Sequence, residues 1–311
     1  MLVYIQRNYN YPDLFRQTPN CNGEWLDMKF TTLPVERADY IVVLNHPLTD
    51  IRMKCLKGGK FLIVQEPPYK SNEYFKLHFR FYNKVISGFS GEKSINVQAG
   101  LPWHINKNYD ELVSLKKDTL QFKNDGVSWI TSNNNLFPAH KIRLDFIDFL
   151  KKKEFKFDLF GRGFKEISDK FDGIYPYKYT IAAENYIAND YFTEKIFDAY
   201  LSWSMPIYFG CKNITDYFPA ESLIQVDLNF PEEALEKIKD AQKNKLWEKN
   251  IEAIQYAREL ILNKYQLFPM LYDFVKANKG EDKYESVFIP HTGLTKMESF
   301  KKEVKKIFKR Q

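Results

Sequence analysis

The chain has 311 residues, 44% of them hydrophobic and 16% aromatic, which gives room for two domains with sizeable cores and excludes wholesale disorder. Its net charge is +6, but five of those six charges fall in Lys296–Gln311, where seven Lys/Arg face two Glu, so a protein-wide nucleic-acid surface is not expected. Three scattered cysteines, Cys21, Cys55 and Cys211, suggest neither a disulfide framework nor a metal site, and no run approaches the roughly 18 apolar residues of a membrane span.

In chain order, Leu2–Gln6, Ala38–Leu44 and Lys60–Gln65 read as strands. The second ends near Asn45-His46-Pro47 and the third at Glu66-Pro67-Pro68. Lys84–Ile86 is a further short strand before a Gly-Ser-rich turn. These make an N-terminal α/β half, expected over 1–121. The polar, charged stretch Lys107–Asp125 reads as a linker. A fresh α/β unit starts with Val127–Thr131, closed by Ser132-Asn133. His140–Leu150 is helical by the spacing of Ile142, Phe146 and Leu150. Lys156–Phe160 is the next strand, and Gly161-Arg162-Gly163 its turn, too short for a dinucleotide fingerprint.

The apolar segment Tyr179–Ala183 then ends in Glu184-Asn185. Asp190 reads as a helix N-cap, and Ile196, Ala199, Tyr200 and Trp203 recur at helical spacing. Pro206 breaks that helix, Ile207–Phe209 is a strand ending at Gly210, Asn213–Phe218 a helical turn, and Leu223–Val226 another strand. Strand–helix–strand–helix–strand is the pattern of a parallel α/β sheet. Trp247–Leu262 and Met270–Ala277 read as terminal helices.

Such sheets bind ligands at the carboxyl ends of strands and at helix N-termini. Tyr191, Glu194 and Lys195 fall there. Lys195 can meet a diphosphate, and Glu194 can accept hydrogen bonds from two neighbouring hydroxyls, as on a ribose. A solvated Glu-Lys pair at a helix start has the same spacing. His46, His78, His104 and His140 lack metal-ligand spacing and no Asp-x-Asp occurs, so no metal site is expected. Met297, Phe300, Val304, Ile307 and Phe308 share one helical face of the basic tail 296–311. That tail either touches an anionic membrane or docks on the protein.

The elements YKY, AAEN, DYFTEK, MPIYFG and PAESLIQVD, in this order, resemble the donor-binding region of family 10 glycosyltransferases, the α1,3/α1,4-fucosyltransferases. SWITSN, Arg143 and FDLFGRG extend the resemblance to about residues 127–230. It departs at Ala183, where the family usually has Phe, and at Glu221, where it usually has Asp. It thins before residue 120 and is absent after about 240.

The resemblance implies two Rossmann-like domains facing across a cleft, the GT-B type, with an acceptor domain at 1–121 and a nucleotide-sugar domain at 122–295. It implies that Arg143 contacts the donor diphosphate with its planar fork, and that Asn185, Tyr191, Glu194 and Lys195 touch the nucleotide-sugar. Glu184 either ties the loop or faces the sugar. The family's Glu after the corresponding strand makes Glu66 the candidate base, with Glu73 as rival. The reaction implied is inverting transfer of fucose from GDP-fucose to a hydroxyl of a glycan acceptor, with no cofactor required. Alternatives are the same fold with another nucleotide-sugar, or a non-catalytic glycan- or nucleotide-binding protein. Animal relatives carry an N-terminal Golgi anchor, whereas MLVYIQRNYNYP has no signal-peptide core. A cytoplasmic enzyme, peripheral at the inner face of the membrane through its tail, is expected.

Overall fold

The computed structural model describes residues 1–291. The tail 296–311, and with it the amphipathic reading, lies outside the described residues. The chain forms two compact units: Met1–Phe15 with Asn22–Gly100 and the described residues from Met270 on, and Arg16–Cys21 with Leu101–Pro269.

The first unit contains β1 (Leu2–Arg7), β2 (Glu24–Trp25), β3 (Met28–Thr31), β4 (Tyr40–Leu44), β5 (Ile51–Lys57), β6 (Lys60–Ile63), β7 (Lys84–Ile86) and β8 (Ser94–Ile95). Seven of them form one sheet in the order β2-β3-β1-β4-β6-β7-β8, parallel except for the β2–β3 edge pair. Every residue of β4 is buried, as expected of a parallel strand covered on both faces. The carboxyl ends of β1, β4 and β6 therefore lie side by side.

The second unit contains β9 (Asn124–Ile130), β10 (Asp158–Phe160), β11 (Tyr177–Ala183), β12 (Met205–Phe209) and β13 (Ile224–Gln225). They form an all-parallel sheet ordered β10-β9-β11-β12-β13. The strand order reverses between β9 and β11, so the ligand crevice of a doubly wound sheet falls at their carboxyl ends. Its helices are α1 (Tyr109–Ser114), α2 (Pro138–Lys152), α3 (Lys170–Ile174), α4 (Glu194–Leu201), α5 (Pro231–Lys243), α6 (Leu246–Lys249) and α7 (Ile251–Leu260). A final helix, α8 (Leu267–Ala277), leads back to the first unit, where β14 (Glu281–Ile289) pairs antiparallel with β5.

Several expectations need correction. Lys107–Asp125 is no linker: Asn108 and Glu111 form a capping box that starts α1. Leu112 and Leu120 join Trp103 and Ile105 in the second unit's core. That unit therefore begins at Leu101 rather than at 122, and it also holds Arg16–Cys21. Within it, Arg16 Nη2 donates to the Trp103 carbonyl at 2.5 Å and Gln266 Nε2 to the Gln17 carbonyl at 3.1 Å. The single helix expected over Trp247–Leu262 is broken at Asn250, which has φ −114° and ψ 22°. Asn competes for the backbone with its own side chain, which suits such a break.

The turn after β10 has a strict steric requirement. Gly161 adopts φ +113°, and a Cβ there would sit 2.0 Å from the Thr131 carbonyl oxygen at the end of β9. Gly161→Ala is expected to cost at least about 1–3 kcal/mol, seen as a lower urea midpoint for the second unit. An unchanged midpoint would show that this turn is not what registers β10 against β9.

Candidate active site

The second unit's candidate site grows from the end of β11. Glu184 is 0% exposed. Its Oε1 accepts the Thr193 backbone N–H at 2.8 Å, and its Oε2 accepts the Thr193 hydroxyl at 2.7 Å. Lys195 Nζ lies 3.3 Å from the same Oε2 and donates to Thr193 Oγ1 at 2.8 Å. A Cβ at residue 210 would fall 2.4 Å from Glu184 Cγ, which is why glycine follows β12. Glu184 thus fixes the entry to α4 by holding its N-cap residue, Thr193.

Asp190 does not cap this helix, as the sequence had suggested. In a left-handed conformation (φ +60°), it accepts from Asn213 Nδ2 at 2.9 Å and from the Tyr217 hydroxyl at 2.6 Å. Its N–H donates to Asn213 Oδ1 at 2.9 Å. It anchors the loop ahead of the N-cap residue, Thr193, and so does not cap the helix.

Glu194 opens α4 beside two ammonium groups and an imidazole. Its Oε1 lies 3.2 Å from Lys195 Nζ, 3.5 Å from Lys170 Nζ and 3.9 Å from His104 Nδ1. One turn later, Asp198 is 1% exposed. Its Oδ1 accepts the N–H groups of His104 and Ile105 at 2.7 and 3.2 Å, and its Oδ2 accepts Lys170 Nζ at 3.2 Å.

The titration directions follow from these neighbours. Burial pushes the Glu194 carboxyl up, but Lys195, Lys170 and His104 together hold it well below the usual range. Burial would also lower Lys195, yet Glu184 and Glu194 raise it. Lys170 is raised against burial by Asp198 and Glu194. Glu184, where burial dominates, is raised.

Arg143, 5% exposed on α2, belongs to the same electrostatic cluster. Its charge opposes that of Lys195. After burial, the charges of Arg143 and Lys195 are what lower His140. The first turns of α2 and α4 follow the two strands that flank the switch point, so helix dipoles add to the positive field. The arrangement suits an anion. Asn185 directly follows Glu184 and is half-buried. Tyr191, also half-buried, meets Tyr186 edge-on, with ring centroids 5.7 Å apart.

The first unit carries its own polar cluster at the carboxyl ends of β1, β4 and β6. Asn45, at φ +65°, accepts the Gln65 N–H at 2.8 Å and donates to Asn8 Oδ1 at 3.2 Å. Asn8 Nδ2 lies 3.0 Å from His46 Nε2, and the Tyr9 hydroxyl donates to Gln65 Oε1 at 2.8 Å. β6 ends at Ile63, so Gln65 is the buried side chain beyond the strand and Glu66 reaches solvent. Burial raises the Tyr9 and Tyr74 hydroxyls, and the Glu66 charge acts in the same direction on both, while Arg7 and Gln65 oppose the rise at Tyr9. Glu73, the rival, is exposed in a short 3-10 helix and pairs with Lys76 at 3.7 Å.

Residues 120–249 match the model of glycosyltransferase family 10 (fucosyltransferase), C-terminal region. The resemblance read from the sequence stands on that match. Among curated proteins, the chain is similar to the human 4-galactosyl-N-acetylglucosaminide 3-alpha-L-fucosyltransferase 9, with 36% identity over 124 residues, covering 38% of this chain and 33% of that protein. It also resembles the Arabidopsis thaliana alpha-(1,4)-fucosyltransferase, at 48% identity over 48 residues, 15% of this chain and 12% of that one. The chain thus matches about a third or less of these relatives' lengths.

Two solved structures share the fold. One is an α1,3-fucosyltransferase, with TM-score 0.51, 17% identity, and coverage of 91% of this chain and 90% of that one. The other is an alpha-glucosyltransferase in complex with UDP and a 13-mer DNA, with TM-score 0.54, 11% identity, and coverage of 89% and 99%. The fold class is therefore GT-B, an α/β fold with two Rossmann-like units.

All five sequence-predicted donor residues lie in the loop and helix turns around β9 and β11. Lys170 and Asp198 escaped sequence reasoning, and His104 and His140 had been weighed only as metal ligands. Asp198 had one signal, its i, i+4 relation to Glu194 on α4. His104 and Lys170 are far away in sequence and gave none.

A pH prediction follows from the depressed Glu194. Its native pKa lies below the unfolded value, so its stabilisation is present above about pH 4.3 and is lost as pH falls through the native pKa. Glu194→Gln should therefore make the fall in unfolding free energy below about pH 4 shallower, by up to about 1.4 kcal/mol per pH unit. Acid denaturation curves of equal slope for both proteins would contradict this charge arrangement.

Proposed function

We propose that the chain is an inverting glycosyltransferase that moves fucose from GDP-fucose to a hydroxyl of a glycan acceptor, in the manner of an α1,3-fucosyltransferase. The observation that carries this reading is the Arg143–Glu194–Lys195 cluster at the switch point of a sheet within the family match. Arg143 and Lys195 meet the diphosphate and neutralise the charge that builds on departing GDP. Glu194, ionised by its cations, accepts hydrogen bonds from the ribose hydroxyls. Asn185 and Tyr191 contact the nucleotide-sugar from the loop.

Glu66 acts as general base. It takes the acceptor hydroxyl proton as the sugar bond breaks through an oxocarbenium-like state. No cofactor is assigned to the step. A second reading, the same fold with another nucleotide-sugar, rests on the fact that diphosphate and ribose are common to all nucleoside diphosphate-sugars.

We also propose a cytoplasmic location, peripheral contact of 296–311 with anionic membranes, and no nucleic-acid partner. The tail proposal predicts that deleting Lys296–Gln311 lowers binding to anionic vesicles while soluble-substrate activity persists. Vesicles ignored by the intact chain would refute it.

GDP release from GDP-fucose with and without glycan acceptors tests the activity. Lys195→Ala and Arg143→Ala each remove a charge-assisted contact of about 1.5–3 kcal/mol, so donor use should fall roughly 10–100-fold. Glu66→Gln keeps the shape and removes the basicity. It should spare donor binding and cut transfer by roughly 10²–10⁴-fold. A collapse in Glu73→Gln instead would move the base to Glu73, and normal transfer by both variants would reject this acceptor side.

A further inference from the structure

A cavity of about 640 Å³ lies in the second unit between α1 with the turn after it and α7. That volume is within the range of small-molecule sites. Leu112, Leu115, Trp203 and Leu262 give it an apolar lining. None of these belongs to the Arg143–Glu194–Lys195 cluster.

One cation lines this wall from a buried position. Arg258, on α7, is 3% exposed. Its Nη2 donates to the Leu112 carbonyl at 2.6 Å, and its guanidinium carbon lies 4.7 Å from the Trp203 ring centroid. Its Nε is buried and has no hydrogen-bond partner. Among the described residues no carboxylate forms a salt bridge with it. Burial pulls Arg258 down to about 10, and Glu259 offsets this only in part.

A buried guanidinium with an idle N–H and no paired carboxylate is costly, and an acceptor anion relieves both deficits. Lys116 and Lys117 also line the cavity, with Asp118 and Glu259. Lys117 is already paired with Glu252, so the unpaired charge offered to a ligand is that of Arg258.

We propose that this cavity binds a small amphipathic anion. Its carboxylate or phosphate head sits on Arg258, and its hydrocarbon body lies against Leu112, Leu115, Trp203 and Leu262. The site is independent of the glycosyl-transfer reading. An anion shares the guanidinium with the Leu112 carbonyl.

Calorimetric titration of the full chain with dodecanoate, dodecyl phosphate and dodecanol tests this. Saturable single-site binding of at least one anion, at least about tenfold tighter than the alcohol, is expected from one charge-assisted contact. The preferred head group tells carboxylate from phosphate.

Arg258→Gln should erase that preference. It also removes the donor to Leu112, so Val113→Glu provides the control on folding. Val113 lines the cavity and is 41% exposed. A carboxylate there should weaken anion binding about tenfold while leaving alcohol binding and the thermal midpoint nearly unchanged. No saturable binding, equal affinity for alcohol and anions, or an unaffected Val113→Glu would each overturn the proposal.

Discussion

A carboxylate with no access to water must have both oxygens occupied, and at the end of β11 that requirement sets the local structure. Glu184 meets it through the N–H and hydroxyl of Thr193 and the ammonium of Lys195. The consequence is geometric. Thr193 is held nine residues from Glu184 in sequence, so the length and path of the loop are fixed and α4 starts where Glu194 and Lys195 face the crevice. Removing one partner of such a buried pair typically costs about 3–5 kcal/mol, because the remaining charge stays buried. Gly210 belongs to the same constraint, since any side chain there would displace Glu184.

The charges around α4 are balanced at rest and poised for an anion. Glu184 and Glu194 hold Lys195 protonated, while Arg143 opposes it. Asp198 ties Lys170 to the backbone of 104–105, which keeps a second ammonium beside Glu194. Cations assembled in this way need no reorganisation when a negative group arrives, which is the physical basis of electrostatic stabilisation in preorganised sites. The helix starts after β9 and β11 act in the same sense.

Much of this was legible in the sequence where local signals were strong. Apolar runs located the parallel strands, and Tyr191, Glu194 and Lys195 were found because parallel sheets present ligand groups after their strands, whereas Arg143 and Asn185 came from the family resemblance. What stayed hidden depended on contacts far apart in sequence. β5 alternates Ile51, Met53 and Cys55 with Arg52 and Lys54, so it shows no apolar run, and its partner β14 lies more than two hundred residues away. Lys107–Asp125 looked like a linker because its polar residues outnumber its apolar ones. Leu112 and Leu120 nevertheless suffice to anchor it in the core, and the Asn108–Glu111 capping box was overlooked. Asp190 looked like a cap by residue type, but the backbone at Thr193 was already claimed by Glu184. Glu66 was read as the strand end, whereas the strand stops at Ile63 and Gln65 takes the buried position.

The central claim is that the Arg143–Glu194–Lys195 cluster is a site for a guanosine diphosphate-sugar. Calorimetric titration of the full chain across a panel of nucleotides and nucleotide-sugars tests it most directly. The account predicts saturable binding of GDP and GDP-fucose, weaker binding of UDP and its sugars, and loss of GDP affinity in Lys195→Ala. Equal affinity for UDP and GDP, or GDP binding untouched by Lys195→Ala, would contradict it.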